Sequence, residues 1–200
     1  ITLALHAPAF AEESTIVVTG AEQGSALPAW TNSATKSAVA ESKTPQVITT
    51  LSAPEIDKRH ANSVNEILRY ASGVSTEVRG NTSYMSEYKI RGFTVDQEFY
   101  NGLQLPYNVT GNTKARIDPL LIDSVDILKG PSSVLYGGGS PGGLVNIQSK
   151  KPQREARTEF GFNTGNRNLK EGYLDSTGQI ANSDWNYRLL GKATERSEEH

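Results

Sequence analysis

Three glycines carry the first chemical suggestion in this chain. Gly137, Gly139 and Gly142 stand at G-x-G-x-x-G spacing inside ILKGPSSVLYGGGSPGGLVNIQSKKP (127–152). Such a turn cradles a pyrophosphate when it follows a strand and opens a helix whose N-terminus faces the phosphates. Here Pro141 interrupts the run, and LVNIQSK (144–150) behind it reads as a strand. A phosphate loop of the other common kind ends in Gly-Lys-Ser/Thr, whereas this one ends in Gly-Leu-Val. The glycines are therefore expected to serve positive φ angles and close backbone packing. The remaining reactive residues are sparse. His6, His60 and His200 have no metal-ligand spacing, cysteine is absent, and no nucleophile–base arrangement supports a nucleotide-using enzyme.

The elements around the glycines are legible from Pro45 onward. QVITTL (46–51) reads as a strand. Ser52-x-x-Glu55 is a capping box with Pro54 in the first turn, opening a short helix through His60. Ser63-x-x-Glu66 is a second box. Val64, Ile67, Leu68 and Ala71 follow at helical spacing, and Gly73 supplies a stop. VSTEV (74–78), EYKIRGF (87–93), EFYNGLQL (98–105), SVDILKG (124–130) and LVNIQSK are strand-like, and Asp118-Pro119 opens a brief helical turn. Polar loops are expected at 79–86 and 106–116. Together these predict a small α+β domain over 45–152, sheet plus short helices.

On either side the pattern changes. Residues 1–11, ITLALHAPAFA, end in A-x-A and read as the remnant of a secretory signal peptide. Glu13–Thr19 form a short β-prone segment with no neighbour to pair with, and 20–44 read as a flexible linker. Beyond Pro152, Thr158, Phe160 and Phe162 alternate with Arg157, Glu159 and Asn163. Trp185, Tyr187, Leu189 and Ala193 likewise alternate with Asn186, Arg188, Lys192, Thr194 and Arg196. LKEGYLDSTGQI between them is a weaker strand, and ANSD (181–184) a turn. Alternation in segments of about ten residues marks outer-membrane β-barrel strands. A soluble sheet with one wet face would look the same over three strands. Closing a barrel takes about eight, so the sequence is expected to stop inside a larger protein. A net charge of −2 from 20 basic and 22 acidic residues makes no case for nucleic acid.

The ordered segments resemble the plug region of TonB-dependent outer-membrane receptors. KGPSSVLYG (129–137), SPGG (140–143) and LVNIQSKKP (144–152) carry the resemblance, with TPQVITTLSAPEI (44–56), SVNEILRYASGVS (63–75), KIRGF (89–93), YNGLQL (100–105) and IDPLLIDSVDIL (117–128). ESTIVVTG (13–20) resembles the TonB box. Among subfamilies the chain is most similar to ferric-siderophore receptors of the ferrichrome and ferrioxamine kind.

The resemblance implies an α+β plug domain followed by the first strands of a truncated antiparallel transmembrane β-barrel, in the outer membrane of a Gram-negative bacterium. It implies a ferric siderophore of hydroxamate type as ligand, with iron only as part of that ligand and no cofactor. The implied partners are outer-membrane lipid and TonB with its inner-membrane energising complex, but no nucleic acid. TonB would be met by β-augmentation along Glu13, Ser14, Thr15, Ile16, Val17, Val18 and Thr19. By position in the motifs, Arg79, Gln97 and Tyr107 match the ligand-facing apices, with Tyr84 and Tyr88 adding aromatic surface. Phe99 and Tyr100 are candidates for the same surface, with sheet packing the expected role of both. Arg91 and Lys129 match a plug latch that pairs with barrel glutamates; relatives carry Arg at the second position, and Lys substitutes a point charge for a planar fork. A receptor for cobalamin, heme or a saccharide is the alternative within the family.

Overall fold

The computed structural model describes residues 30–31, 33, 39–40, 46–76, 87–95, 97–106, 115–131, 136–165, 168–181 and 183–196. Its elements are the strands β1 (Trp30–Thr31), β2 (Val39–Ala40) and β3 (Val47–Ser52), the helices α1 (Ala53–Lys58) and α2 (Val64–Leu68), then strands β4 (Val74–Thr76), β5 (Tyr88–Ile90), β6 (Phe93–Thr94), β7 (Glu98–Tyr100) and β8 (Leu103–Gln104). A 3-10 turn at Pro119–Leu121 leads into β9 (Ile122–Lys129) and β10 (Gly143–Ser149). Three long strands close the chain: β11 (Arg157–Gly165), β12 (Leu169–Gln179) and β13 (Asn186–Glu195).

The central sheet has the order β3-β9-β10-β7-β8, and only the β10–β7 pair is parallel. Its two faces separate by period two. Leu51, Val125, Ile127, Val145 and Ile147 point into the main core, where they meet Ile56 of α1 and Ile67 and Leu68 of α2. Ile67 and Leu68 are fully buried, and removing each from water contributes about 1.5–3 kcal/mol. The opposite face carries a smaller cluster of Phe99, Leu128 and Leu144, with Tyr136 and Ile48 packed on it. A bulge between Gln148 and Ser149 shifts the ladder by one residue. That slip turns Ile122 into the main core and leaves Asp123 exposed.

Helix boundaries follow the caps. Glu55 accepts the Ser52 backbone N–H at 3.1 Å, the reciprocal half of the expected box. At α2, Ser63 Oγ accepts from the Glu66 N–H at 3.3 Å, but the Glu66 carboxylate reaches back to the Asn62 N–H at 2.7 Å, one residue earlier than a capping box would place it. α2 stops at Leu68, short of the predicted turn through Ala71. The N–H groups of Ala71 and Val74 bond instead to Leu68 and Ala71 carbonyls, and Gly73 sits at φ 72°. The strand expected over 87–93 is broken by Arg91 (φ 52°) and Gly92 (φ 85°) into a tight β5–β6 hairpin. Asn101-Gly102 does the same between β7 and β8.

Two expectations need correction. Within 20–44 the described residues are not featureless linker: Trp30 pairs with Ala40 and Thr31 with Val39, and Ser33 is buried against the central sheet. The sequence has no apolar period there, and at these five residues backbone pairing and side-chain bonds fix the conformation. Tyr88, read as aromatic surface, is fully buried in the main core, because β5 is the middle strand of the small β4-β5-β6 sheet. Phe99 is a packing residue as expected, 4.7 Å and edge-on to Tyr136, and Tyr100 packs on the main core.

In the β11-β12-β13 sheet the register aligns Phe160 with Leu174, Phe162 with Gly172, Leu174 with Gly191 and Ser176 with Leu189. One face therefore collects Phe160, Phe162, Leu174, Tyr187 and Leu189. Phe160 is 83% and Leu189 59% exposed, so the apolar side of this sheet has no cover among the described residues. The other face is polar and turns toward the α+β domain. The strand that looked weakest in sequence, β12, is the central and longest of the three.

Candidate functional site

The glycine stretch is a packing loop. It runs from β9 to β10 with a strand, not a helix, behind it. The Gly130 N–H donates to the Gly142 carbonyl at 2.8 Å and closes the loop. A Cβ on Gly142 would lie 2.2 Å from the Ile90 carbonyl oxygen and 2.9 Å from Phe93 Cβ. One on Gly143 (φ 138°) would lie 1.9 Å from the Leu128 oxygen. Only glycine lets this loop lie against the β5–β6 hairpin backbone to backbone.

That contact assembles the region around three of the residues singled out by sequence. Gln97 is half-buried, and its side-chain Nε2 donates to the Gly138 carbonyl at 2.9 Å. With Phe93, Thr94, Gly138, Gly139 and Ser140 it lines an open groove of about 400 Å³. Arg91, at the hairpin tip, donates its backbone N–H to the Gly73 carbonyl at 2.9 Å, and its guanidinium reaches over Gly130. Lys129 is beside it: burial, and then the Arg91 charge, hold the Lys129 ammonium below its ordinary value of 10.5. The structure thus brings Arg91 and Lys129 together, and among the described residues neither has an acidic partner at ion-pair distance. Arg79, Tyr84, Tyr107 and the segment Glu13–Thr19 lie outside the described residues.

The sequence reading missed how the plug meets the sheet behind it. Asp175 on β12 takes a two-point contact from Arg188 on β13 (Nη2 2.6 Å, Nε 2.9 Å) and a third from Lys150 at 3.3 Å, at the end of the plug. Arg188 also donates to the Lys151 carbonyl at 3.0 Å. Farther along, Lys192 bridges Asp118, the cap of the 3-10 turn, at 3.1 Å and Glu171 at 2.9 Å. Between these bridges is a polar cavity of about 490 Å³, reached by Asp57, His60, Glu159, Tyr173 and Lys192 among others. The usable signal was the alternation in LKEGYLDST, which puts Glu171, Tyr173, Asp175 and Thr177 on one face.

Two phenols, Tyr88 buried and Tyr136 half-buried, complete the electrostatics. Burial, and then the Glu98 carboxylate, push Tyr88 well above 10. Burial and the Asp126 charge raise Tyr136.

The comparisons agree with this geometry. The family described as TonB-dependent Receptor Plug Domain matches residues 40–144. The chain is 35% identical over 196 residues to the ferrichrome outer membrane transporter/phage receptor of Escherichia coli, covering 91% of this chain and 26% of that protein. It is 29% identical over 184 residues to the ferrioxamine B receptor of Salmonella typhimurium, covering 88% and 25%. The solved pyoverdine outer membrane receptor of Pseudomonas aeruginosa superposes with a TM-score of 0.78 at 25% identity, over 88% of this chain and 26% of that one. The chain thus spans about a quarter of the length of the relatives it matches. A plug-domain match over more than half of its residues, on a mixed sheet followed by an antiparallel three-strand wall, makes this chain a member of the TonB-dependent receptors of the Gram-negative outer membrane.

Proposed function

We propose that this chain is the plug and first wall strands of a receptor that binds a ferric siderophore, of hydroxamate type, and imports it with energy delivered through TonB. The observation that carries the reading is the similarity, over nine-tenths of the chain, to a ferrichrome transporter and nearly as far to a ferrioxamine B receptor. Ferrichrome and ferrioxamine B are both hydroxamates. Glu13–Thr19 would pair with a sheet edge of TonB, with backbone hydrogen bonds carrying the pull. Arg79, Tyr84, Gln97 and Tyr107 would meet the ligand, Arg for the charge of the chelate and the tyrosines for contact area with a polar tip. Iron enters only inside its chelate, and no resident cofactor takes part. Arg91 and Lys129 would latch onto carboxylates of the barrel beyond this chain, and Phe160, Phe162 and Leu189 would face outer-membrane lipid.

The test is uptake of labelled ferrichrome and ferrioxamine B by cells whose only hydroxamate receptor is the full-length protein. Import is expected to stop without functional TonB, and to stop in Ile16→Pro while ligand binding is retained. TonB-independent import, or normal ferri-hydroxamate binding by an Arg79→Ala, Tyr107→Ala variant, would refute the energy source or the site respectively.

A further inference from the structure

The least expected contact in the chain is made by Ser33, which lies ahead of the plug and is nonetheless 1% exposed. Its hydroxyl donates to Asp126 Oδ2. It also accepts from Asn146 Nδ2 at 2.7 Å and from Gln148 Nε2 at 3.4 Å. The Ser33 carbonyl accepts the Tyr136 hydroxyl. Asp126 is fixed from its other side by Thr50 Oγ1 at 2.8 Å. Thr50, Asp126 and Asn146 are direct cross-strand neighbours on β3, β9 and β10, so the seat is one row of the central sheet. It occupies the face opposite the main core. The ladder of Trp30–Thr31 with Val39–Ala40 brackets Ser33 in the chain.

We infer that the row Thr50–Asp126–Asn146 is a docking seat for the chain's own pre-plug segment, held at rest by Ser33 and vacated when the N-terminus is pulled. The pulling step rests on the TonB reading above; the seat does not. Once tension at the N-terminus has parted the two pairs Trp30–Ala40 and Thr31–Val39, Ser33 is in series between residues 13–19 and β3 and takes the load before the plug sheet does. What it meets there is a handful of side-chain hydrogen bonds, whereas β3 is held by a ladder of six register pairs to β9. The seat is also polar. Asp126 and Asn146 bond directly to the Ser33 hydroxyl, so its departure admits water to the groups it leaves behind, and hydration replaces the lost bonds. A catch built from such groups reseats without having exposed apolar surface, which suits a cycle that must repeat.

Two measurements on the full-length receptor test this. Hydrogen–deuterium exchange across residues 30–40 is expected to accelerate by about fivefold or more, the factor of one net hydrogen bond, in Ser33→Ala and in Asp126→Asn. Ser33→Thr is expected to stay near the parent. Unchanged exchange in both variants would overturn the seat. Second, Ser33→Cys with Asn146→Cys is bridged by oxidation or by a short bifunctional thiol reagent; this chain contributes no competing cysteine. The bridged receptor is expected to bind ferrichrome and fail to import it, and to regain import when the bridge is reduced. Import at the parental rate while bridged would overturn the vacating step, as would a block that reduction does not lift. Parental import in the same cells, with and without TonB, separates failure of the functional reading from failure of the seat, which the exchange experiment reads without transport.

Discussion

Replacing Gly142 by alanine puts the packing account of the glycine loop at risk. The added Cβ would lie 2.2 Å from the Ile90 oxygen, against the 3.4 Å at which ordinary contact begins, so about 1.2 Å of separation must be found. The obstructing atom is backbone, and Phe93 Cβ at 2.9 Å blocks a second direction, so no rotamer change relieves the clash. Overpacking of a well-filled interior costs about 1–3 kcal/mol, and a backbone-on-backbone clash belongs at the upper end. For a plug of this size about 3 kcal/mol lowers the unfolding midpoint by roughly 12–24 °C. The matched control is Gly138→Ala, where an added Cβ meets nothing within 4 Å. Calorimetry of the full-length receptor should show the plug transition displaced downward in Gly142→Ala and unmoved in Gly138→Ala. Exchange at the Gly130 amide, which donates to the Gly142 carbonyl, should rise only in the first. Equal midpoints for Gly142→Ala and the parent would refute the reasoning, because the clash distance leaves no room for a neutral substitution.

Further outcomes follow from the charged and phenolic groups. Asp175→Asn leaves Arg188 and Lys150 facing each other without their shared carboxylate; all three side chains are 9–14% exposed, so the cost should be about 3 kcal/mol, and an unchanged denaturant midpoint for plug release from the wall would contradict it. The raised Tyr88 and Tyr136 hydroxyls mean that the folded plug holds more protons than the unfolded chain above pH 10, so stability should fall as pH climbs from about 10 toward their folded values. Tyr88→Phe should flatten that fall in a melting series. A Tyr88 titration at an ordinary midpoint, read as the tyrosinate difference between parent and variant, would dispose of it.

The features legible in sequence were those whose cause is local. β-Branched runs, Ser-x-x-Glu caps and the Gly73 stop found the elements of the plug, because each acts within one or two turns of chain. The alternation at Phe160, Phe162, Tyr187 and Leu189 gave the apolar face of the wall for the same reason. Ser33 was invisible because its partners are 93 to 115 residues away and a lone serine in a polar stretch has no pattern to read. Asp118 was legible as a turn cap and not as the partner of Lys192, since the first role is set two residues away, by the Leu120 N–H, and the second across the plug. The glycine motif misleads in the opposite way: its spacing is local, but its meaning is set by the strand that follows and by the hairpin against which it packs.

How the plug is held bears on whether it can move. Every apolar residue of both core clusters falls between Ile48 and Ile147; the wall strands contribute none among the described residues. The contacts across the boundary are instead polar: Lys192 with Asp118, Lys150 with Asp175, Arg188 with the Lys151 carbonyl, and the Gln153 N–H with Thr177 Oγ1 at 2.8 Å. Separating apolar surfaces costs about 25 cal/mol for each Å² exposed and is not recovered until they meet again. Separating an ion pair or hydrogen bond in the presence of water exchanges one partner for another at a net cost near 1 kcal/mol. The polar cavity of about 490 Å³ at this boundary is large enough to admit that water. A body with its own core that meets the wall through polar contacts has little apolar surface to part from it, because both core clusters are inside the plug and Phe160, Phe162 and Leu189 are on the opposite face of the wall.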